Sequence, residues 1–117
     1  MRVTDPIVVH ERVDAPVAEI AIVVPHDLAF CAGHFPDMPV VPGVVQLKWA
    51  LDLARRRLGV RGRFAGCENV KFQRVLTPGT RATLKLENIE ASGKVAFVFE
   101  SARARYSSGR LLLHARS

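Results

Sequence analysis

His34 is the residue in this chain best placed to move a proton. It lies in Gly33-His34-Phe35-Pro36-Asp37-Met38-Pro39-Val40-Val41-Pro42-Gly43-Val44, a loop braced by three prolines directly ahead of an apolar helical stretch. Each proline fixes its own φ and pushes the residue before it toward extended geometry, so Phe35, Met38 and Val41 are turned away from helix and the histidine is held. An imidazole titrates near neutral pH and can take or return a proton there. The helix after Pro42-Gly43 opens with free backbone N–H groups, the arrangement a carbonyl oxygen needs while it gains negative charge. Gly43 suits a close backbone approach because it has no Cβ. Further along the same helix stand Lys48 and Asp52, four residues apart. Cys31, three residues before His34, raises a Cys–His nucleophilic pair as an alternative.

The elements that must position these groups follow from periodicity. The helix is expected from Val44 to Leu58, stopped by Gly59. Apolar residues lie on most of its sides, including Val44, Val45, Leu47, Trp49, Leu51 and Leu58, which calls for a helix wrapped by other structure. Residues 7–13 and 17–24 are rich in β-branched side chains and flank Asp14-Ala15-Pro16, which reads as a hairpin. Residues 25–42 form the connecting loop, and a strand is expected over 63–72. In residues 81–89, Ala82, Leu84 and Leu86 alternate with Arg81, Thr83, Lys85 and Glu87, a strand with one buried face. Ala91-Ser92-Gly93 and Ser107-Ser108-Gly109 read as hairpin turns bounding strands over 94–106 and 110–116. The expected order is β-β-α-β-β-β-β, an α+β chain with one long helix and a curved, mostly antiparallel sheet, forming a single domain over residues 1–117.

Bulk properties narrow the function. With 49% hydrophobic residues the chain can build a core, and no apolar run approaches the length of a membrane span. The start, Met1-Arg2-Val3-Thr4-Asp5-Pro6, has neither signal nor transit character, so a cytoplasmic protein is expected. Cys31 and Cys67 have no metal-ligand spacing and read as reduced structural thiols. The net charge of +6 invites nucleic acid, but the arginines are dispersed and no aromatics interleave with them, which argues against it. The densest cluster, Arg55-Arg56-Arg57, falls at the helix C-terminus, where it complements the dipole and equally offers a docking patch for an acidic partner. His10, His26 and His114 have no carboxylate at a useful spacing and read as structural or surface residues. Trp49 reads as core, while Gln46 serves either the pocket or a dimer seam.

Residues 30–43 resemble the active-site motif of the hotdog-fold 3-hydroxyacyl-(acyl carrier protein) dehydratases of fatty acid synthesis, roughly Phe-x-x-Gly-His-Phe-Pro-x-x-Pro-x-x-Pro-Gly-Val. A second family-like string, Glu68-Asn69-Val70-Lys71-Phe72-Gln73-Arg74-Val75-Leu76-Thr77-Pro78-Gly79, follows at the expected spacing. Val44-Val45-Gln46-Leu47-Lys48-Trp49-Ala50 is most similar to the divergent dehydratases of aryl-polyene and xanthomonadin-type pigment clusters. The resemblance implies a hotdog fold, at least dimeric, acting on acyl thioesters of an acidic acyl carrier protein or of coenzyme A, with no metal or other cofactor. It implies His34 as the base, the Val40 carbonyl as its orienting group, the Gly43 N–H as oxyanion donor, and Phe30 and Phe35 as tunnel lining.

One position departs from the family. A Glu or Asp is expected five residues beyond the Pro-Gly glycine, and this chain has Lys48. A lysine is either charged or, when desolvated, a neutral amine and a poor proton donor. Three accounts stay open: Asp52, a turn further on, supplies the carboxylate, or instead pairs with Lys48 on the helix surface; a related hotdog subunit supplies it in a heterodimer; or the chemistry has become thioester hydrolysis or acyl binding without turnover.

Overall fold

The computed structural model describes residues 5–26 and 40–114. In these, six strands and one long helix follow the expected order: β1 (Ile7–Asp14), β2 (Val17–Val23), α1 (Gly43–Leu58), β3 (Arg63–Phe72), β4 (Arg81–Ile89), β5 (Lys94–Glu100) and β6 (Arg105–His114), with a short 3-10 turn at Glu90–Ser92. The strands form one sheet in the order β1-β2-β4-β5-β6-β3, and every neighbouring pair is antiparallel. Among the described residues no helix is long and apolar enough to cross a membrane.

Alternation decides which face of the sheet meets the helix. Ala18, Ile20 and Ile22 of β2, Ala82, Leu84 and Leu86 of β4, and Val95, Phe97 and Phe99 of β5 are all buried. They join Val45, Trp49, Ala50, Leu53 and Ala54 of α1 in one core. Burying a large apolar side chain contributes about 1.5–3 kcal/mol, so this shared surface outweighs any difference in intrinsic helix propensity along α1. Gly59 ends the helix as expected: its φ is +64°, and its N–H donates to the Ala54 carbonyl. The helix and sheet together are the hotdog arrangement.

One expectation needs correction. Ser107-Ser108-Gly109 is not a turn; it lies inside β6, where Ser107 pairs with Phe99 and Gly109 with Phe97. The chain reverses earlier, at residues 101–104, where the Ser101 N–H donates to the Ala104 carbonyl at 2.7 Å. The small residues are there for packing, since a Cβ on Gly109 would come within 2.8 Å of Val70 Cγ2. The expectation of a helix wrapped by a curved sheet holds, and α1 packs its apolar face into the core of that sheet. Among the described residues, Val44 is 72% exposed and Leu47, Leu51 and Leu58 are partly buried.

Candidate functional site

The start of α1 is held by a dense set of backbone bonds. Val41 N–H donates to the Leu76 carbonyl at 2.7 Å, tying the helix entry to the segment after β3. The Pro42 carbonyl accepts from the N–H groups of Val45, at 3.0 Å, and Gln46, at 3.2 Å. A trans peptide is planar, so the Gly43 N–H points opposite to that carbonyl, outward along the helix axis. Among the described residues no group accepts from it, and no side chain caps this end of the helix. An unpaired N–H at the positive end of a 16-residue helix is a ready donor to a carbonyl oxygen that becomes negative.

Gly43 also sits close against a neighbouring ring. A Cβ there would lie 2.6 Å from the ring tip of Phe72, the last residue of β3. Phe72 is 51% exposed, and its ring stands as a wall against Gly43. Phe72 reaches this position past an irregularity in β3, where the register with β6 shifts between Glu68 and Lys71 and Asn69 adopts φ +53°. A bulge of this kind re-aims the residues that follow it.

Gln46 and Ser107 are the polar residues whose role the sequence left open or misread. Gln46 is 3% exposed and Ser107 fully buried. The Gln46 side-chain N–H donates to the Val41 carbonyl at 3.2 Å, and the Ser107 hydroxyl donates to Gln46 Oε1 at 2.7 Å. A carbonyl only accepts, so Gln46 Nε2 must face Val41 and its oxygen must face Ser107. Gln46 therefore satisfies groups within the chain. The one available signal was a lone amide among Val45, Leu47 and Trp49, residues that otherwise read as core.

Lys48 and Asp52 are joined at 2.8 Å by an ion pair on the outer side of α1, with side chains 57% and 31% exposed. Asp52 lies nine residues beyond Gly43, about 13 Å along the axis and half a turn around it. In this arrangement its carboxylate is engaged by Lys48. Of the other expected site residues, Val40 and Gly43 flank the helix entry, while Phe30, His34 and Phe35, like Cys31, lie outside the described residues.

At the far end of α1, Arg57 pairs with Glu11 of β1 at 2.7 Å and Arg55 donates to the Gly62 carbonyl at 2.9 Å. These contacts give the arginine cluster a part in closing the helix C-terminus. Arg55, Arg61 and Arg63 also line an open groove of about 1150 Å³ together with Phe64 and Leu113.

With the geometry in hand, comparison with known proteins is informative. The model of the ApeI-like family, described as ApeI dehydratase, matches residues 10–110. The 3-hydroxyacyl-[acyl-carrier-protein] dehydratase FabZ of Lactococcus lactis subsp. cremoris is 36% identical over 76 residues, which cover 59% of this chain and 53% of that protein. FabZ of Geobacillus thermodenitrificans is 35% identical over 74 residues, 57% of this chain and 51% of the relative. The matched stretch thus spans about half the length of these curated relatives. Among solved structures, the dehydratase heterocomplex ApeI:P from Xenorhabdus doucetiae is similar at a TM-score of 0.87 and 31% identity, covering 95% of this chain and 99% of that one. An uncharacterized protein from Erwinia carotovora subsp. atroseptica follows at a TM-score of 0.78 and 26% identity, covering 93% and 95%.

Proposed function

This chain belongs to the ApeI-like dehydratase family, and from that premise we propose that it takes part in dehydrating 3-hydroxyacyl thioesters carried on an acyl carrier protein. His34 takes the proton from Cα. The Gly43 N–H holds the thioester oxygen as negative charge builds on it. The 3-hydroxyl group leaves as water after receiving a proton from an acid, and the Cα–Cβ bond becomes double while the acyl chain stays on its carrier. The observation that carries this reading is the outward-pointing Gly43 N–H at the first turn of α1, which no group among the described residues accepts.

The source of the acid follows from Lys48. Asp52 is held in an exposed ion pair, far along the helix from Gly43. This favours a related subunit as the donor of the missing carboxylate. That a structurally similar dehydratase was solved as a heterocomplex supports the same assignment. We therefore read this chain as the protomer that contributes His34 and Gly43 to a site completed by a hotdog partner. A subunit that binds the acyl chain without turnover is the second reading, and Lys48 at the acid position is what favours it.

The test is incubation with a 3-hydroxyacyl carrier-protein thioester, alone and with a related subunit that retains the Glu, followed by mass spectrometry of the intact carrier. Loss of one water, dependent on the partner and abolished by His34→Ala, is the expected result. Turnover by the chain alone that is lost in Asp52→Asn would overturn the partner assignment in favour of Asp52. Dehydration by the mixture that survives His34→Ala would support the acyl-binding reading. Release of the free carrier would point to hydrolysis.

A further inference from the structure

Outside the reacting groups, the most constrained polar contact in the described residues is the buried chain Ser107–Gln46–Val41. We propose that Gln46 is a positioning residue, oriented by Ser107, which sets the direction of the Gly43 N–H. The inference rests on the oxyanion role given to Gly43 above.

Two consecutive carbonyls at the helix entry are held by a single residue: Val41 by the Gln46 side chain and Pro42 by the Gln46 backbone N–H, each at 3.2 Å. Val41 N–H is held separately by Leu76. The peptide planes on both sides of Pro42 are thereby fixed, and the second of them carries the Gly43 N–H. Proline adds no donor of its own and allows little variation in φ.

The Gln46 amide would be free to rotate without a second anchor. Ser107, itself fully buried, supplies it from β6 across 61 residues of sequence. The pair couples the sheet to the orientation of one N–H group. A helix start held only by its own backbone would fray, because the first turn lacks internal partners. Oxyanion donors are effective when they do not reorganise during reaction, so a device that removes this freedom acts on turnover more than on binding.

The test uses Ser107→Ala and the near-isosteric Gln46→Met in the full chain, assayed in the complex that dehydrates. Each variant is expected to lower kcat about tenfold with KM within about twofold. The double variant should be no slower than Gln46→Met alone, because the two residues act as one unit. A second readout needs no turnover: the Gly43 amide, followed by NMR, should shift and exchange faster in each folded variant. An unchanged Gly43 amide in folded Gln46→Met and Ser107→Ala protein overturns the proposal, as do multiplicative effects of the two substitutions on kcat. If the wild-type complex dehydrates nothing, the proposed function fails, and the amide measurement still decides whether Gln46 positions Gly43.

Discussion

Gln46 and Lys48 stand two residues apart on α1, and each reaches a polar partner, yet the two pairs are opposites. Gln46 and Ser107 are sealed between helix and sheet, while Lys48 and Asp52 face outward. A buried acceptor that loses its donor cannot turn to water, so it forfeits its full desolvation cost. An exposed ion pair that is broken is rehydrated at once. Polar residues on one helix therefore differ in consequence according to the face they occupy, and the neutral pair constrains the structure more than the charged one.

This contrast can be broken experimentally. The largest effect is expected from Ser107→Ala, which leaves Gln46 Oε1 buried and unpaired and should cost about 1–3 kcal/mol in urea unfolding. Adding Gln46→Met should cost less than the sum of the two single changes. A loss below ~0.3 kcal/mol for Ser107→Ala would mean that water reaches the site.

Next comes the wall beside the same helix start. Gly43→Ala would drive a Cβ to within 2.6 Å of the Phe72 ring, and a destabilisation of about 1 kcal/mol is expected as the ring is displaced. In a Phe72→Ala background the penalty should vanish. If it persists there, backbone geometry rather than the ring enforces glycine.

The outward pair should respond least to truncation. Lys48→Ala and Asp52→Ala are each expected to change stability by no more than ~0.5 kcal/mol, with a coupling of about 0.3–0.5 kcal/mol that shrinks at high salt. A coupling above ~1 kcal/mol would show that the pair is shielded in the assembled protein, as it would be beneath a partner subunit.

A pH dependence completes the series. The hydrogen bond from Lys94 holds the Glu68 carboxyl below its ordinary value of 4.5, against an opposing effect of desolvation and with help from the charges of Lys94 and Arg110. A depressed carboxyl contributes stability that is present above its unfolded value and lost as pH falls through the folded one. Lys94→Ala should therefore cost a little at pH 7 and nothing at pH 2, measured by thermal unfolding in the two buffers. The same cost at both would show that Lys94 acts through packing.

Much of the fold was legible because its signals are local. β3 and β4 fall where alternation and turn residues put them, and Gly59 stops the helix as its lack of a Cβ allows. Ser107-Ser108-Gly109 misled because small residues serve turns and close packing equally. What decided between them was the neighbouring Val70 and Phe97, which are remote in sequence. At the helix entry, the start of α1 at Gly43 was legible from the Pro-Gly junction, whereas the Phe72 ring against Gly43, brought from the end of β3, was not.

The sequence by itself determined the order of the elements, because periodicity, proline and glycine act within a few residues of themselves, and its motifs carried the resemblance to the family. It also set the chemical problem, by placing lysine where the family has an acid. Only the tertiary structure decided that Gln46 closes onto Ser107 and Val41, that Asp52 pairs with Lys48 on the outer face, and that the Phe72 ring stands against Gly43. Each of these depends on which surfaces meet when the sheet curls against the helix, and that is set by packing across the whole chain rather than by neighbours along it.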